Sequence, residues 1–340
     1  MRLSRSDPAQ PGLRRLRWGG GWRYRRADGD WESDPEVLER IRQLTIPPDW
    51  REVWICPAAN GHIQAMGLDR AGRRQYRYHD RWTARREQLK YARVADFGAA
   101  LPPARRRVSM LLAQPGLGRD KMLAAAFRLL DLGHFRIGGE QYRRTNGSVG
   151  LATLERRHLR RQSIGLMFSY RAKSGQHQRE LIQDADLARV MMQVRRRRGG
   201  PAQLLAYRSE NEWRQLRSAE INGFVKETVG DDFSAKDFRT WHGTVLATVA
   251  LSWQQSEMTG GPSARRHAMA QAVALVADAL GNTPAVCRRS YIAPKILDAF
   301  EDRALPAVGR RPAADRLVEG LRLVGGRPRT ERLVLRLLRD

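Results

Sequence analysis

Few residues in this chain are placed to do chemistry. Near the C-terminal end, the stretch GNTPAVCRRSYIAPKI sets one tyrosine, Tyr291, behind two arginines and ahead of a Pro-Lys pair. Such a phenol either packs or attacks something anionic. A free phenol, with a pKa of about 10, is a poor nucleophile at neutral pH. Attack on a phosphodiester therefore needs cations on the non-bridging oxygens and a proton donor at the leaving oxygen. Three stretches could supply them. In KDFRT, Arg239 is expected in the first turn of a helix, where exposed N–H groups also favour an anion. In LGHFRIG, Arg136 ends a helix just before a sheet. In YRAKSGQHQ, Lys173 sits at a hairpin-like turn and can project freely. In so arginine-rich a chain a given arginine is usually a solvated surface charge, and spacing alone leaves both readings open.

Other chemistries lack their signatures. The Lys-Ser pair of AKSG (172–175) has none of the glycines of a phosphate cradle. No paired acids suggest a magnesium site, and Cys56 and Cys287 match no metal-ligand spacing, so neither a metal nor a cofactor is expected. The formal net charge of +26 and pI near 11.3 point to a polyanionic partner, above all nucleic acid. Only six of the 62 basic residues are lysines, and the arginine forks suit paired phosphate oxygens. No apolar run reaches membrane-spanning length, and the first thirty residues lack a signal-type apolar core. The expectation is a cytoplasmic, nucleoid-associated protein.

The texture of the chain implies an α+β protein of two domains. Residues 1–12 read as disordered. Residues 13–86 carry clustered aromatics (Trp18, Trp22, Tyr24, Trp31, Trp50, Trp54) and short segments punctuated by Gly and Pro, as in a small β-rich domain. Within it, alternation puts Tyr76 and Tyr78 on one face of a strand and Arg77 on the other. Residues 87–340 read as a mainly helical domain holding a small three-stranded sheet. DKMLAAAFRLLDLGHF is a helix by the spacing of Met122, Phe127, Leu130 and Leu132. SAKDFRTWHGTVLATVALSW is another, with Ser234 and Asp237 as a capping box and Phe238, Trp241, Val245 and Val249 as its buried stripe.

Five stretches in this order, HIQAMGLDRAGRRQYRYH, FRIGGEQYRRTNGSVGLATL, AKSGQHQ, KDFRTWHGT and GNTPAVCRRSYI, resemble the small type IB DNA topoisomerases of bacterial and poxvirus type. The resemblance runs from about Trp50 to Phe300. It implies that Tyr291 attacks the scissile phosphate to give a 3′-phosphotyrosyl link and a free 5′-hydroxyl. It implies that Arg136 and Arg239 hold the non-bridging oxygens and that Lys173 protonates the departing 5′ oxygen. Swivelling and religation would follow without ATP or an obligatory metal. The resemblance further implies a monomer closing as a clamp round duplex DNA, with contacts from Arg74, Tyr76, Tyr78, Tyr142 and Lys236.

One position departs from the pattern. Many members carry a histidine nine residues before the tyrosine, and here it is Asn282, whose neutral amide can donate a hydrogen bond but cannot act as an acid. Tyrosine recombinases share the catalytic set but usually place a histidine three residues before the second arginine. This chain has Lys236 there, as in the topoisomerase form. A site-specific recombinase and a non-catalytic basic DNA-binding protein are the alternatives. His242, beside Arg239, reads as a packing residue.

Overall fold

A computed structural model describes residues 2–140, 143–144 and 147–340. Two compact units divide between Lys90 and Tyr91. The first holds a five-stranded antiparallel sheet in the order β2-β1-β3-β4-β5, formed by β1 (Leu13–Trp18), β2 (Gly21–Arg25), β3 (Arg51–Ile55), β4 (Ile63–Leu68) and β5 (Arg74–Tyr78). Helix α1 (Pro35–Gln43) starts where the Asp34 carboxylate accepts from the Glu36 N–H at 2.8 Å, with Pro35 at its first position. Ile41 from this helix joins Leu13, Val53, Ile55 and Ala65 in a small core. Residues 2–12, expected to be disordered, instead lie along this unit. Ser4 bridges Gly61, the Ser6 hydroxyl donates to the Ile63 carbonyl at 2.9 Å, and Trp54 Nε1 donates to the Gln10 carbonyl at 2.9 Å. Composition could not show these long-range partners.

Helix α2 (Asp80–Ala113) runs through the stretch where the change of texture had suggested a boundary. The second unit adds α3 (Arg119–Leu132), α4 (Ala185–Arg196), α5 (Ser218–Val229), α6 (Ala235–Glu257), α7 (Pro262–Leu280), α8 (Pro284–Tyr291), α9 (Pro294–Glu301), α10 (Leu317–Gly325) and α11 (Pro328–Arg339). The expected three-stranded sheet is β6 (Leu159–Gln162), β7 (Gly165–Arg171) and β8 (His177–Ile182), antiparallel throughout. A hairpin of β9 (Ala206–Ser209) and β10 (Glu212–Gln215) was not foreseen. Its turn puts a glutamate, Glu210, at φ 52 where glycine or asparagine would have advertised it.

Helix α6 organises this unit. Its stripe of Phe238, Trp241, Val245 and Val249 is buried as expected, and the Asp237 carboxylate accepts from the Ser234 N–H at 2.8 Å and its hydroxyl at 2.9 Å. Burial extends round most of the helix, because two cores share it. Phe238, Trp241 and Val245 face α3 and the sheet, where Phe127 meets Phe238 edge-on at 5.0 Å. Leu246, Val249, Leu251 and Trp253 face the core that includes residues of α7, α9 and α10. In α3, Met122, Phe127 and Leu130 are buried, but Leu132, expected with them, is 43% exposed at the helix end.

Candidate active site

The site is built at the C-terminal end of α7. Gly281 ends that helix in the left-handed conformation, at φ 61, where a side chain would be strained. A Cβ there would also stand 2.6 Å from Gln178 Oε1 of β8, the flexible end of a side chain that packs on this turn, so the backbone conformation is what calls for glycine. The turn returns the Gly281 N–H to the Asp278 carbonyl at 3.0 Å and the Asn282 N–H to the Ala277 carbonyl at 2.9 Å.

The carbonyls beyond these are taken by arginines. Arg239 Nη2 donates to the Leu280 carbonyl at 2.9 Å, and its Nη1 donates to the His134 carbonyl. Arg136 Nη2 donates to the next carbonyl, Gly281, and to Asn282 Oδ1, both at 2.6 Å. Two of the arginines singled out in the sequence are therefore anchored on neighbouring peptide groups. Cations suit the negative end of a helix dipole, which favours this arrangement. With its oxygen on Arg136, the Asn282 amide is fixed in orientation, and its Nδ2 is covered without a partner. A covered donor on a residue held by the Arg136 guanidinium is a feature an anion would complete.

Tyr291 closes α8, whose N-cap Thr283 follows Asn282 directly. Its ring lies 5.0 Å from the Arg239 guanidinium carbon. Two residues of α6 hold it there. A Cβ on Gly243 would come within 2.5 Å of the Tyr291 carbonyl oxygen, so the helices touch only because this position lacks a side chain. The neighbouring Thr244 hydroxyl donates to that carbonyl at 3.3 Å and accepts the Ala293 N–H at 3.2 Å. Neither residue was singled out from the sequence, although both lie in KDFRTWHGT. A glycine and a hydroxyl on the buried side of a helix were the available signal.

Arg239 corrects one expectation. It lies one residue past the first turn of α6, only 3% exposed, and not at a solvent-facing N-terminus. The stripe that buries Phe238 and Trp241 carries it inward with them. Lys173 occupies the exposed turn (Lys173–Gly175) between β7 and β8, and among the described residues it has no hydrogen bond or ion pair. The structure gives it no contact with the tyrosine–arginine group. Lys236 is exposed in the first turn of α6. Tyr142 lies outside the described residues. In the first unit, Arg74, Tyr76 and Tyr78 share one exposed face of β5. The two rings stack at 5.9 Å, while Arg77 points the other way and donates to the Thr45 carbonyl at 2.8 Å.

The surroundings silence competing groups. Cys287, one turn before Tyr291, is fully buried, and burial pushes its thiol up to about 12, so it stays protonated. Burial also raises the Tyr170 phenol, which stacks on Phe135 at 6.0 Å. The His242 imidazole is driven well below its ordinary value by desolvation and stands edge-on to His134 at 5.3 Å, the packing role expected of it. No group of three or more His, Cys, Asp or Glu side chains among the described residues could hold a metal ion.

Comparison with known proteins agrees with this architecture. The family described as eukaryotic DNA topoisomerase I, catalytic core, matches residues 79–305, and the bacterial DNA topoisomerase IB N-terminal domain matches residues 21–69. A DNA topoisomerase 1B from Acanthamoeba polyphaga mimivirus is 27% identical over 302 residues, covering 86% of this chain and 88% of the relative. A DNA-topology enzyme is thus defined across both units. The chain belongs to the type IB DNA topoisomerases, isomerases whose substrate is DNA.

Proposed function

We propose that this protein relaxes supercoiled duplex DNA by cutting one strand through Tyr291 and resealing it, with neither ATP nor an obligatory metal. The Tyr291 oxygen bonds to the scissile phosphorus as the bond to the 5′ oxygen breaks. The phenolic proton leaves to solvent, and the departing oxygen takes a proton from the Lys173 ammonium. Arg136 and Arg239 absorb the charge that grows on the non-bridging oxygens, and the Asn282 amide donates to one of them. The tyrosyl ester keeps the phosphodiester energy, so the free 5′-hydroxyl reverses the attack after the strand has swivelled. The protein works as a monomer that closes round the duplex, with the exposed face of Arg74, Tyr76 and Tyr78 and the Lys236 side chain on the DNA.

The observation that carries the reading is the pair of arginines fixed on the adjacent Leu280 and Gly281 carbonyls, with the Tyr291 ring against one and Asn282, its Nδ2 without a partner, held by the other. A phenol becomes competent only where such groups are already in place, because they need no rearrangement as the charge develops. The test is plasmid relaxation in EDTA without ATP, followed by denaturing capture of the protein on end-labelled DNA. The wild type should relax the plasmid and be captured on the 3′ end. Tyr291→Phe should bind DNA and do neither. Capture on a 5′ end, or an undiminished adduct in Tyr291→Phe, would overturn the mechanism. Exchange between defined sites with no relaxation would indicate a recombinase instead.

A further inference from the structure

Residues 306–340 lie beyond the stretch matched by the catalytic-core family. They nevertheless reach the helix end on which the site is built. Arg322 of α10 donates through Nη2 to the Ala279 carbonyl at 2.7 Å. Ala279, Leu280 and Gly281 are consecutive, and each carbonyl receives a different arginine: Arg322, Arg239 and Arg136. With the Ala277 and Asp278 carbonyls bonded by the Asn282 and Gly281 N–H groups, all five carbonyls at the end of α7 have partners. A helix leaves such carbonyls without intrahelical donors, and here one of them is satisfied from the C-terminal segment.

Arg322 is itself held by a buried acid. Its Nη1 donates to Glu180 Oε2 at 3.0 Å, and Glu180 is 1% exposed. Gln178 Nε2 donates to the other carboxylate oxygen at 2.8 Å, and Gln178 is the residue that packs against Gly281. His134 Nδ1 stands 3.7 Å from Glu180 Oε2, and the His134 carbonyl accepts from Arg239. The network therefore approaches the two site arginines from both sides: through the helix end, and through His134.

We propose that Arg322 is a positioning residue of the active site. It sets the end of α7, and through it the placement of Arg239, Arg136 and Asn282, so that the C-terminal segment completes the catalytic unit. The inference rests on the proposed roles of those three residues. Arg322 does not touch the reacting atoms in this scheme. Its loss should slow cleavage without weakening DNA binding.

The experiment measures single-turnover cleavage at saturating enzyme, on a duplex whose short downstream strand diffuses away so that resealing cannot occur. Arg322→Ala leaves Glu180 charged and unpaired and could unfold the protein. The informative form is therefore Arg322→Met combined with Glu180→Gln, which removes both charges together. A displacement of about 1 Å at a reacting centre costs up to about a hundredfold, so a loss of at least about tenfold is expected in the cleavage rate. The enzyme concentration giving half-maximal rate should not change. Arg136→Ala should cost less in this background than in the wild type, since both changes act through one element. Arg322→Lys, which keeps the charge but not the planar fork, should not restore the rate. Wild-type cleavage in the double variant, a loss confined to DNA affinity, full additivity with Arg136→Ala, or complete rescue by lysine would each overturn the proposal. Failure of Tyr291→Phe to abolish the adduct would instead overturn the reading beneath it.

Discussion

Gly243→Ala tests most directly whether α6 places the nucleophile. The added Cβ would lie 2.5 Å from the Tyr291 carbonyl oxygen, 2.9 Å from its Cβ and 3.1 Å from its carbonyl carbon. Ordinary contact begins near 3.4 Å, so α6 and the end of α8 must separate by about 0.9 Å, the difference between the two distances. The nearest clashing atoms belong to backbone, which cannot swing aside like a flexible side chain. Overpacking of this kind costs about 1–3 kcal/mol of stability. The larger effect should be kinetic, because the same shift carries Tyr291 away from Arg239, and a misplacement of about 1 Å can cost on the order of a hundredfold in rate.

The assay is formation of the covalent protein–DNA adduct in a single turnover, read beside DNA affinity and thermal unfolding. Gly243→Ala should cut the adduct rate by roughly tenfold to a hundredfold, with DNA affinity unchanged and a modest fall in Tm. Gly223→Ala is the control. It sits within α5 with nothing within 4 Å of the new methyl, and should be stabilising by about 0.4–1 kcal/mol with no effect on rate. If Gly243→Ala forms adduct within about threefold of the wild-type rate, the close approach of the two helices does not position the tyrosine.

Three further outcomes are expected. Thr244→Val removes the hydroxyl shared by the Tyr291 carbonyl and the Ala293 N–H and strands a buried donor, so chemical denaturation should show a loss of about 1–3 kcal/mol together with slower adduct formation. Asn282→His introduces a group able to carry charge, so single-turnover cleavage should accelerate as pH falls below about 6.5, while the wild type shows no such rise; parallel pH profiles would count against a phosphate contact at this position. His242 has a folded-state pKa depressed by burial, so the unfolded chain binds the proton more readily; its stabilising contribution is present above the ordinary value of 6.5 and is lost as pH falls below it. Denaturation midpoints should therefore drop more between neutral pH and pH of about 5 in the wild type than in His242→Gln, and equal slopes would refute the assignment.

Features written locally in the chain were legible, and features that depend on which distant segments meet were not. The cap of α6 needs only Ser234 and Asp237, three residues apart, and its stripe needs only helical spacing, so both could be read directly. The alternation of Tyr76, Arg77 and Tyr78 is equally local. Arg136 and Asn282 are separated by 146 positions, so their shared hydrogen bond exists only once α7 has been folded against the segment after α3. The depth of Arg239 was misread because an arginine looks like surface, whereas here its charge is held by the Leu280 and His134 carbonyls. Arg322 could not be distinguished from other arginines, because what marks it is the carbonyl it meets.

The same point bears on why arginine fills these places. A lysine ammonium could neutralise the end of α7, but its point charge cannot hold one carbonyl and offer a second planar donor in a fixed direction. Arg136 uses one nitrogen on both the Gly281 carbonyl and Asn282 Oδ1, and Arg239 spreads two nitrogens over carbonyls from separate segments. Each is oriented by backbone before any phosphate arrives, so the helix end that needs partners also orders the groups to which the proposed mechanism gives the developing oxyanion. The exposed Lys173 contrasts with this, since the role proposed for it, giving up a proton, needs reach and a labile proton more than a fixed plane. The division between two anchored arginines, Arg239 buried and Arg136 half-buried, and a lysine on an exposed turn thus fits the roles proposed for them.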